Sequence, residues 1–349
     1  MNTVLSAFGA APGLFGRRQR RARGSRIPVI LVTGFLGAGK TTLIRALLTT
    51  EAGRDSVVVV NEFGEVGIDD ALIVGTGNDT VLLGNGCLCC RIRSDLETTL
   101  RTLFTDRMRG AIPGFARVIL ETSGLDDPAP FLQTLLSDRA LGREYHLQSI
   151  LTLLDLATGE AALAESPEAR RQVAIADRIL LTKADLAPAG AAERLAPALR
   201  ALNPHAPIEA TAPGAIPRPE WLEESDLPLP SLLTADAPPR HTAGLATFTI
   251  TFGQPWSWPA LEATLDLLLR LCGESILRAK GLVALEGCTG PVAIHAVRHI
   301  LHRPVELEAW PKGDSTSRLV FITRNLPREA VEALLRAAHH LAPPPENTP

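Results

Sequence analysis

Along the N-terminal part of the chain, short runs of apolar, β-branched residues alternate with longer stretches of helical period. The runs are Ile27–Thr33, Val57–Val60, Val81–Leu83, Val118–Leu120, Ile150–Leu154 and Ile179–Leu181. They are almost continuously apolar instead of alternating with polar residues, as strands covered on both faces must be. The pattern predicts an α/β domain over residues 27–210, a mostly parallel sheet with helices on both faces. Over 211–240 prolines recur with few periodic apolar positions, and a linker is expected. Beyond it, Leu245–Phe252, Leu282–Leu285, Val292–Val297 and Arg318–Thr323 read as strands, while Trp258–Leu271 and Arg328–Leu341 have helical period. A small α+β domain over 241–341 follows, with a proline-rich, disordered tail at 342–349.

Composition narrows the function classes. A chain of 349 residues with 46% hydrophobic content can bury a core in each of two domains. A net charge of −3 gives no global pull toward nucleic acid or anionic lipid, and neither is expected as a partner. One local exception, Gly16–Arg26, carries six arginines and almost nothing apolar. It reads as a solvated arm over residues 1–26. The apolar run after it, about seven residues, is too short for an export signal, and nothing approaches the roughly 20 residues of a membrane span. Five cysteines, three of them within four positions, suit reduced thiols and a metal better than a disulfide framework. A cytoplasmic location is expected.

The chemistry begins at Gly34-Phe35-Leu36-Gly37-Ala38-Gly39-Lys40-Thr41, which fits G-x-x-x-x-G-K-[ST] at every fixed position. A strand leads in and the helical pattern Thr42–Leu48 leads out, so Gly34, Gly37 and Gly39 let backbone N–H groups curl around phosphate oxygens at the positive end of a helix. Lys40 is placed to neutralise the β- and γ-phosphates, and the Thr41 hydroxyl to meet Mg²⁺. A second magnesium element should be an acid ending a neighbouring strand. Glu121 stands there, and the following Thr122-Ser123-Gly124 puts the backbone of Gly124 within reach of a γ-phosphate. After the strand Ile179–Leu181 comes Thr182-Lys183-Ala184-Asp185. Asp185 can accept from N1–H and the exocyclic amine of guanine, a paired donor adenine lacks, and Lys183 can lay its stem over the base.

Gly86-Cys87-Leu88-Cys89-Cys90 crowds three thiols into one turn of chain. Thiolates select soft or borderline metals, and a tetrahedral Zn²⁺ would draw a further ligand from elsewhere. An incomplete ligand set favours transient carriage over a permanent structural site. The segment Asn61–Asp69, between the phosphate loop and the cysteines, carries glycines and acids. It is a candidate switch between γ-phosphate and metal, with Glu65 a candidate ligand for the carried ion. Cys272 and Cys288 sit in apolar surroundings and read as buried hydrophobes. His295 and His299 have i, i+4 spacing, but Val292–Val297 alternates as a strand, so a structural role is expected for both.

Taken together, GFLGAGKTTL, NEFGEVGID, NGCLCC, ETSGLDDP, the segment Gln172–Leu181 and TKADL resemble the CobW/HypB/UreG family of P-loop GTPases, in its CobW-like branch. The likeness runs from Ile27 to about Ala210 and continues into a CobW-type C-terminal domain through His241–Phe252, Arg278–Gly281 and Arg318–Thr323. It implies GTP hydrolysis coupled to delivery of a metal, commonly Zn²⁺ but also Co²⁺ or Fe²⁺, to a client metalloprotein, with a homodimer as a candidate assembly. On this resemblance Gly34–Thr42, including Ala38 and Thr42, binds phosphates and Mg²⁺. Cys87, Cys89 and Cys90 hold the carried metal, Glu121 is the family's distinguishing acid, and Thr182, Lys183 and Asp185 bind guanine. Family members frequently have Asn where Thr182 stands, and the histidine-rich tract of some is missing here. Two rival readings are cobalt delivery to a chelatase of cobalamin synthesis, and a GTP-binding regulator whose metal is never transferred.

Overall fold

In the computed structural model of the chain, the described residues are 26–51, 53, 55–60, 71–76, 79–84, 92–125, 127–138, 140–204, 206–211, 240–242, 245–301, 304–307, 309–310 and 315–341. They fall into two compact units, one within Gly24–Leu227 and one within Pro228–Pro349.

The first unit is built on an eight-stranded sheet. Its strands are β1 (Ile27–Gly34), β2 (Ser56–Val60), β3 (Ala71–Thr76), β4 (Asp79–Gly84), β5 (Arg117–Glu121), β6 (Tyr145–Asp155), β7 (Arg178–Thr182) and β8 (Ile208–Ala210). Their order is β4-β3-β2-β5-β1-β6-β7-β8. From β2 to β8 all neighbours are parallel, whereas β3 and β4 add an antiparallel edge. The helices are α1 (Lys40–Leu48), α2 (Ile92–Arg109), α3 (Ala129–Ser137), α4 (Leu141–Glu144), α5 (Gly159–Glu165), α6 (Pro167–Ala174) and α7 (Ala191–Leu202). Val29, Ile30, Leu31 and Val32 are all buried, so both faces of β1 are covered, which is why the run is unbroken by polar residues. Each such side chain contributes about 1.5–3 kcal/mol of burial. On one face Ile30, Val32, Val58, Ile119 and Leu180 close over Ile44 and Leu47 of α1.

Sequence periodicity places the centres of these strands better than their ends. β6 begins at Tyr145, earlier than the expected Ile150, because His146, Gln148 and Ser149 dilute its apolar signal. β3 and β8 carry no signal that the pattern distinguished.

The second unit holds an antiparallel sheet of β9 (Arg240–Thr242), β10 (Leu245–Phe252), β11 (Ile276–Val283), β12 (Val292–Val297), β13 (Ile300–Leu301), β14 (Val305–Glu306) and β15 (Ser317–Arg324). The order is β13-β12-β11-β15-β10-β9, with β14 on β12. Two helices, α8 (Trp258–Cys272) and α9 (Arg328–Leu341), bring Leu261, Leu265, Val331 and Leu335 onto the sheet residues Phe248, Ile250 and Phe321. The strand expected at Leu282–Leu285 lies instead at Ile276–Val283. Arg278 and Lys280 interrupt its apolar pattern, and Leu285 only bridges to Trp256. Cys272 and Cys288 are half-buried against this core. His295 is on β12, where its Nε2 lies 3.2 Å from the Arg278 guanidinium. His299, in the turn beyond, meets the Leu269 carbonyl at 3.0 Å and Glu274 at 3.2 Å, so the two rings serve separate contacts.

Candidate functional site

Because β5, β1, β6 and β7 are adjacent and parallel, their C-terminal ends share one edge, where crevices form in open α/β sheets. The residues that end these strands are Glu121, Gly34, Asp155 and Thr182. Register ties them together: Val32 pairs with Glu121, Gly34 with Leu153, and Asp155 with Thr182.

The phosphate-loop sequence leaves β1 at Gly34, whose φ of +144° and approach to Leu153 require glycine: a Cβ there would lie 2.2 Å from the Leu153 carbonyl oxygen. Gly37 and Gly39 also have positive φ, and Gly39 is the N-cap of α1. No side chain caps this helix and no acid occupies its first turn, so its N–H groups and positive dipole end face the loop. Lys40 is buried, its Nζ donating to the Gly34 carbonyl at 3.0 Å and lying 3.5 Å from that of Phe35. The Thr41 hydroxyl donates to Glu121 Oε1 at 2.8 Å. These two sequence-selected residues, 80 positions apart, are thereby brought together. Their oxygens are hard donors of the kind Mg²⁺ takes, and together with the uncapped helix end they fit a magnesium-bound polyphosphate.

Glu121 and the next three residues are buried. The loop they start is fixed to β1, since Thr122 N–H donates to the Val32 carbonyl at 3.0 Å and the Thr122 hydroxyl to Thr33 Oγ1 at 2.8 Å. Gly124 then packs against the phosphate loop so closely that a Cβ would lie 2.5 Å from Leu36 Cα.

At the end of β7, Thr182 is buried and its hydroxyl donates to the Ala38 carbonyl at 2.8 Å. Its oxygen is held on the phosphate loop, so the segment expected to read a base is braced against the segment expected to hold phosphate. Lys183 takes a left-handed φ of +57°, costly for a residue with a Cβ. The strain is held by a 2.8 Å ion pair from its Nζ to Asp155 Oδ2 and by a turn in which Leu186 N–H donates to the Lys183 carbonyl at 3.0 Å. Burial pushes the Asp155 carboxyl up, but Lys183, the Ala157 N–H and the Thr158 hydroxyl outweigh it and hold the group below its ordinary value. Asp185 is exposed on the same loop. Asp155 was not singled out from the sequence. Yet it ends an apolar run just as Glu121 does, and that signal was available.

Cys87, Cys89, Cys90, Glu65 and the segment Asn61–Asp69 lie outside the described residues, as do 1–25, most of the expected linker and the tail. Among the described residues, no group of three or more His, Cys, Asp or Glu is arranged to hold a metal ion, and no helix is long and apolar enough to cross a membrane.

The pattern described as CobW/HypB/UreG, nucleotide-binding domain, matches residues 28–209, more than half of the chain. The chain belongs to the CobW/HypB/UreG family. In this CobW-family chain the pattern of the cobalamin synthesis protein CobW C-terminal domain matches residues 245–339. The chain is 32% identical over 312 residues to the zinc chaperone YjiA of Escherichia coli, covering 88% of this chain and 97% of that one. To the zinc chaperone CobW of Pseudomonas aeruginosa it is 29% identical over 363 residues, covering 90% and 92%. The crystal structure of Zn(II)-bound YjiA GTPase from Escherichia coli is similar at a TM-score of 0.66 and 27% identity, over 90% of this chain and 99% of that one. The P-loop architecture with a separate small antiparallel domain is thus shared with the YjiA structure.

Proposed function

We propose that this protein is a Mg²⁺-dependent GTPase that carries Zn²⁺ on Cys87, Cys89 and Cys90 and hands it to a client metalloprotein. The contact between Thr41 and Glu121, 2.8 Å across the mouth of the phosphate loop, carries the GTPase half of this reading. The near full-length likeness to proteins named zinc chaperones supports the metal half. In this reading Gly34, Gly37, Ala38, Gly39, Lys40, Thr41 and Thr42 bind the phosphates, with Lys40 exchanging its present carbonyl partners for phosphate oxygens. Thr41 and Glu121 hold Mg²⁺, which supplies charge neutralisation at the phosphates when bound. The Gly124 backbone meets the terminal phosphate, Asp185 accepts from the guanine edge, and Lys183, fixed by Asp155, lies along the base. Catalysis is then positioning and electrostatic stabilisation, with no covalent intermediate. Cys87, Cys89 and Cys90, with Glu65 as a further ligand, hold Zn²⁺ as cargo, and the segment Asn61–Asp69 links its release to the nucleotide. Neither nucleic acid nor membrane enters the cycle, which runs in the cytoplasm.

Two measurements test this. GTP turnover by the wild type should require Mg²⁺ and be lost in Lys40→Ala; equal rates in all arms would sink the GTPase reading. Zinc stoichiometry after anaerobic purification should fall in Cys87→Ser, Cys89→Ser and Cys90→Ser, and unchanged binding would remove the cysteines from the metal site.

A further inference from the structure

The segment Gln172–Leu181 contributes to the family resemblance but has no part in the function above. Its first residue sits on α6, a short helix fixed at both ends. At the N-terminus the Ser166 hydroxyl accepts from Ala169 N–H at 3.1 Å, and Pro167 follows as the first helical residue. At the C-terminal end, Asn203 Nδ2 lies 3.0, 3.1 and 2.9 Å from the carbonyls of Val173, Ala174 and Ala176 and ties that end of the helix down. In the middle the Gln172 carbonyl accepts from the Thr152 hydroxyl of β6 at 2.8 Å. Helix α6 is therefore a rigid mount.

Two consecutive side chains on that mount reach the loop after Glu121. The Gln172 amide, fully buried, donates from Nε2 to the Gly124 carbonyl at 3.3 Å; only the NH₂ end of the amide can do so, which fixes its orientation. Arg171 places Nε 3.5 Å from Asp127 Oδ2, while its Nη2 is held by Glu168 at 2.6 Å. On its other side Gly124 abuts Leu36 of the phosphate loop. The loop is thus wedged between the phosphate loop and α6, and its height above the site is set from α6.

We propose that Gln172 and Arg171 are positioning residues that latch the loop carrying Gly124 at the height from which it senses the terminal phosphate, so that α6 sets the preference for GTP over GDP. The inference rests on the proposed role of Gly124. A diphosphate needs the phosphate loop and the base loop but not Gly124, so releasing the latch weakens GTP alone. A loop free to rise and fall also lowers kcat through lost positioning of the phosphate.

The test is made on the full-length protein, as wild type, Gln172→Ala, Gln172→Met and Arg171→Ala. Affinities for GDP and for a non-hydrolysable GTP analogue with Mg²⁺ are measured beside the melting temperature. The better-folded Gln172 variant should bind the analogue about tenfold more weakly and Arg171→Ala, which loses a partly exposed ion pair, up to about fivefold more weakly, with GDP affinity within about twofold of wild type in both. A fall in melting temperature with equal losses for both nucleotides, or no change in their ratio, overturns the latch and leaves the GTPase reading standing. Arg171 is partly exposed, so its variant decides the matter even where the buried Gln172 variants unfold. A wild type that binds neither nucleotide sinks the GTPase reading itself, and the latch with it.

Discussion

Replacing Gly124 by alanine tests whether the loop after Glu121 is seated on the phosphate loop as tightly as its geometry requires. The added Cβ would stand 2.5 Å from Leu36 Cα and 2.6 Å from Leu36 N, where ordinary contact begins at 3.4 Å. Both obstacles are backbone, so no side-chain rotation relieves them. The loop or the phosphate loop must shift by about 1 Å, and such overpacking costs about 1–3 kcal/mol. If the displaced part is the one that positions the terminal phosphate, a misplacement of about 1 Å lowers turnover by about a hundredfold. The assay is GTP turnover with Mg²⁺ beside a thermal melt, with Gly114→Ala as control, because a Cβ at Gly114 meets nothing within 4 Å. Gly124→Ala should lose both stability and turnover while Gly114→Ala keeps both. A Gly124→Ala protein that melts and turns over like the wild type would refute the claimed contact.

Other outcomes are expected at the same edge of the sheet. Lys40→Ala should lower GTP turnover by at least about a hundredfold, the scale of one lost charge-stabilising donor, read as phosphate release. Thr182→Val removes the hydroxyl that donates to the Ala38 carbonyl, and should cost about 1–3 kcal/mol for the buried oxygen it strands; a melt and a GDP titration check stability and affinity together. The Asp155 carboxyl is held below its ordinary value, so it adds stability above that ordinary value and loses it as pH falls through the depressed folded-state value. Asp155→Asn should therefore melt lower than wild type at pH 7, by about 1 kcal/mol given the partial exposure of Lys183, and the gap should close in strong acid. A gap that stays constant with pH would mean that the ion pair contributes nothing. Nucleotide affinity of the same variant should fall at pH 7, since Lys183 loses the partner that holds its left-handed backbone.

What the sequence determined by itself was whatever physics acts over a few residues. Buried parallel strands must be continuously apolar, so the runs at β1, β2, β5 and β7 were legible. Three glycines before a helix allow a turn of positive φ, so the loop conformation between β1 and α1 was legible too. An acid ending a buried strand stood out at Glu121 because burying a carboxylate is costly. The same rule fits Asp155, but its cationic partner Lys183 lies 28 positions away, out of reach of any local pattern. Local physics failed where polar residues dilute a pattern, as at Tyr145–Ser149 in β6 and at Arg278 and Lys280 in β11. Only the tertiary structure decided which residues meet: Thr41 with Glu121 across 80 positions, Thr182 with Ala38 across 144, Gln172 with Gly124 across 48. Those pairings follow from strand order, which places the ends of β5, β1, β6 and β7 side by side although the chain visits them far apart. Strand order is set by how a whole sheet buries both its faces, a global balance that no short window of sequence carries.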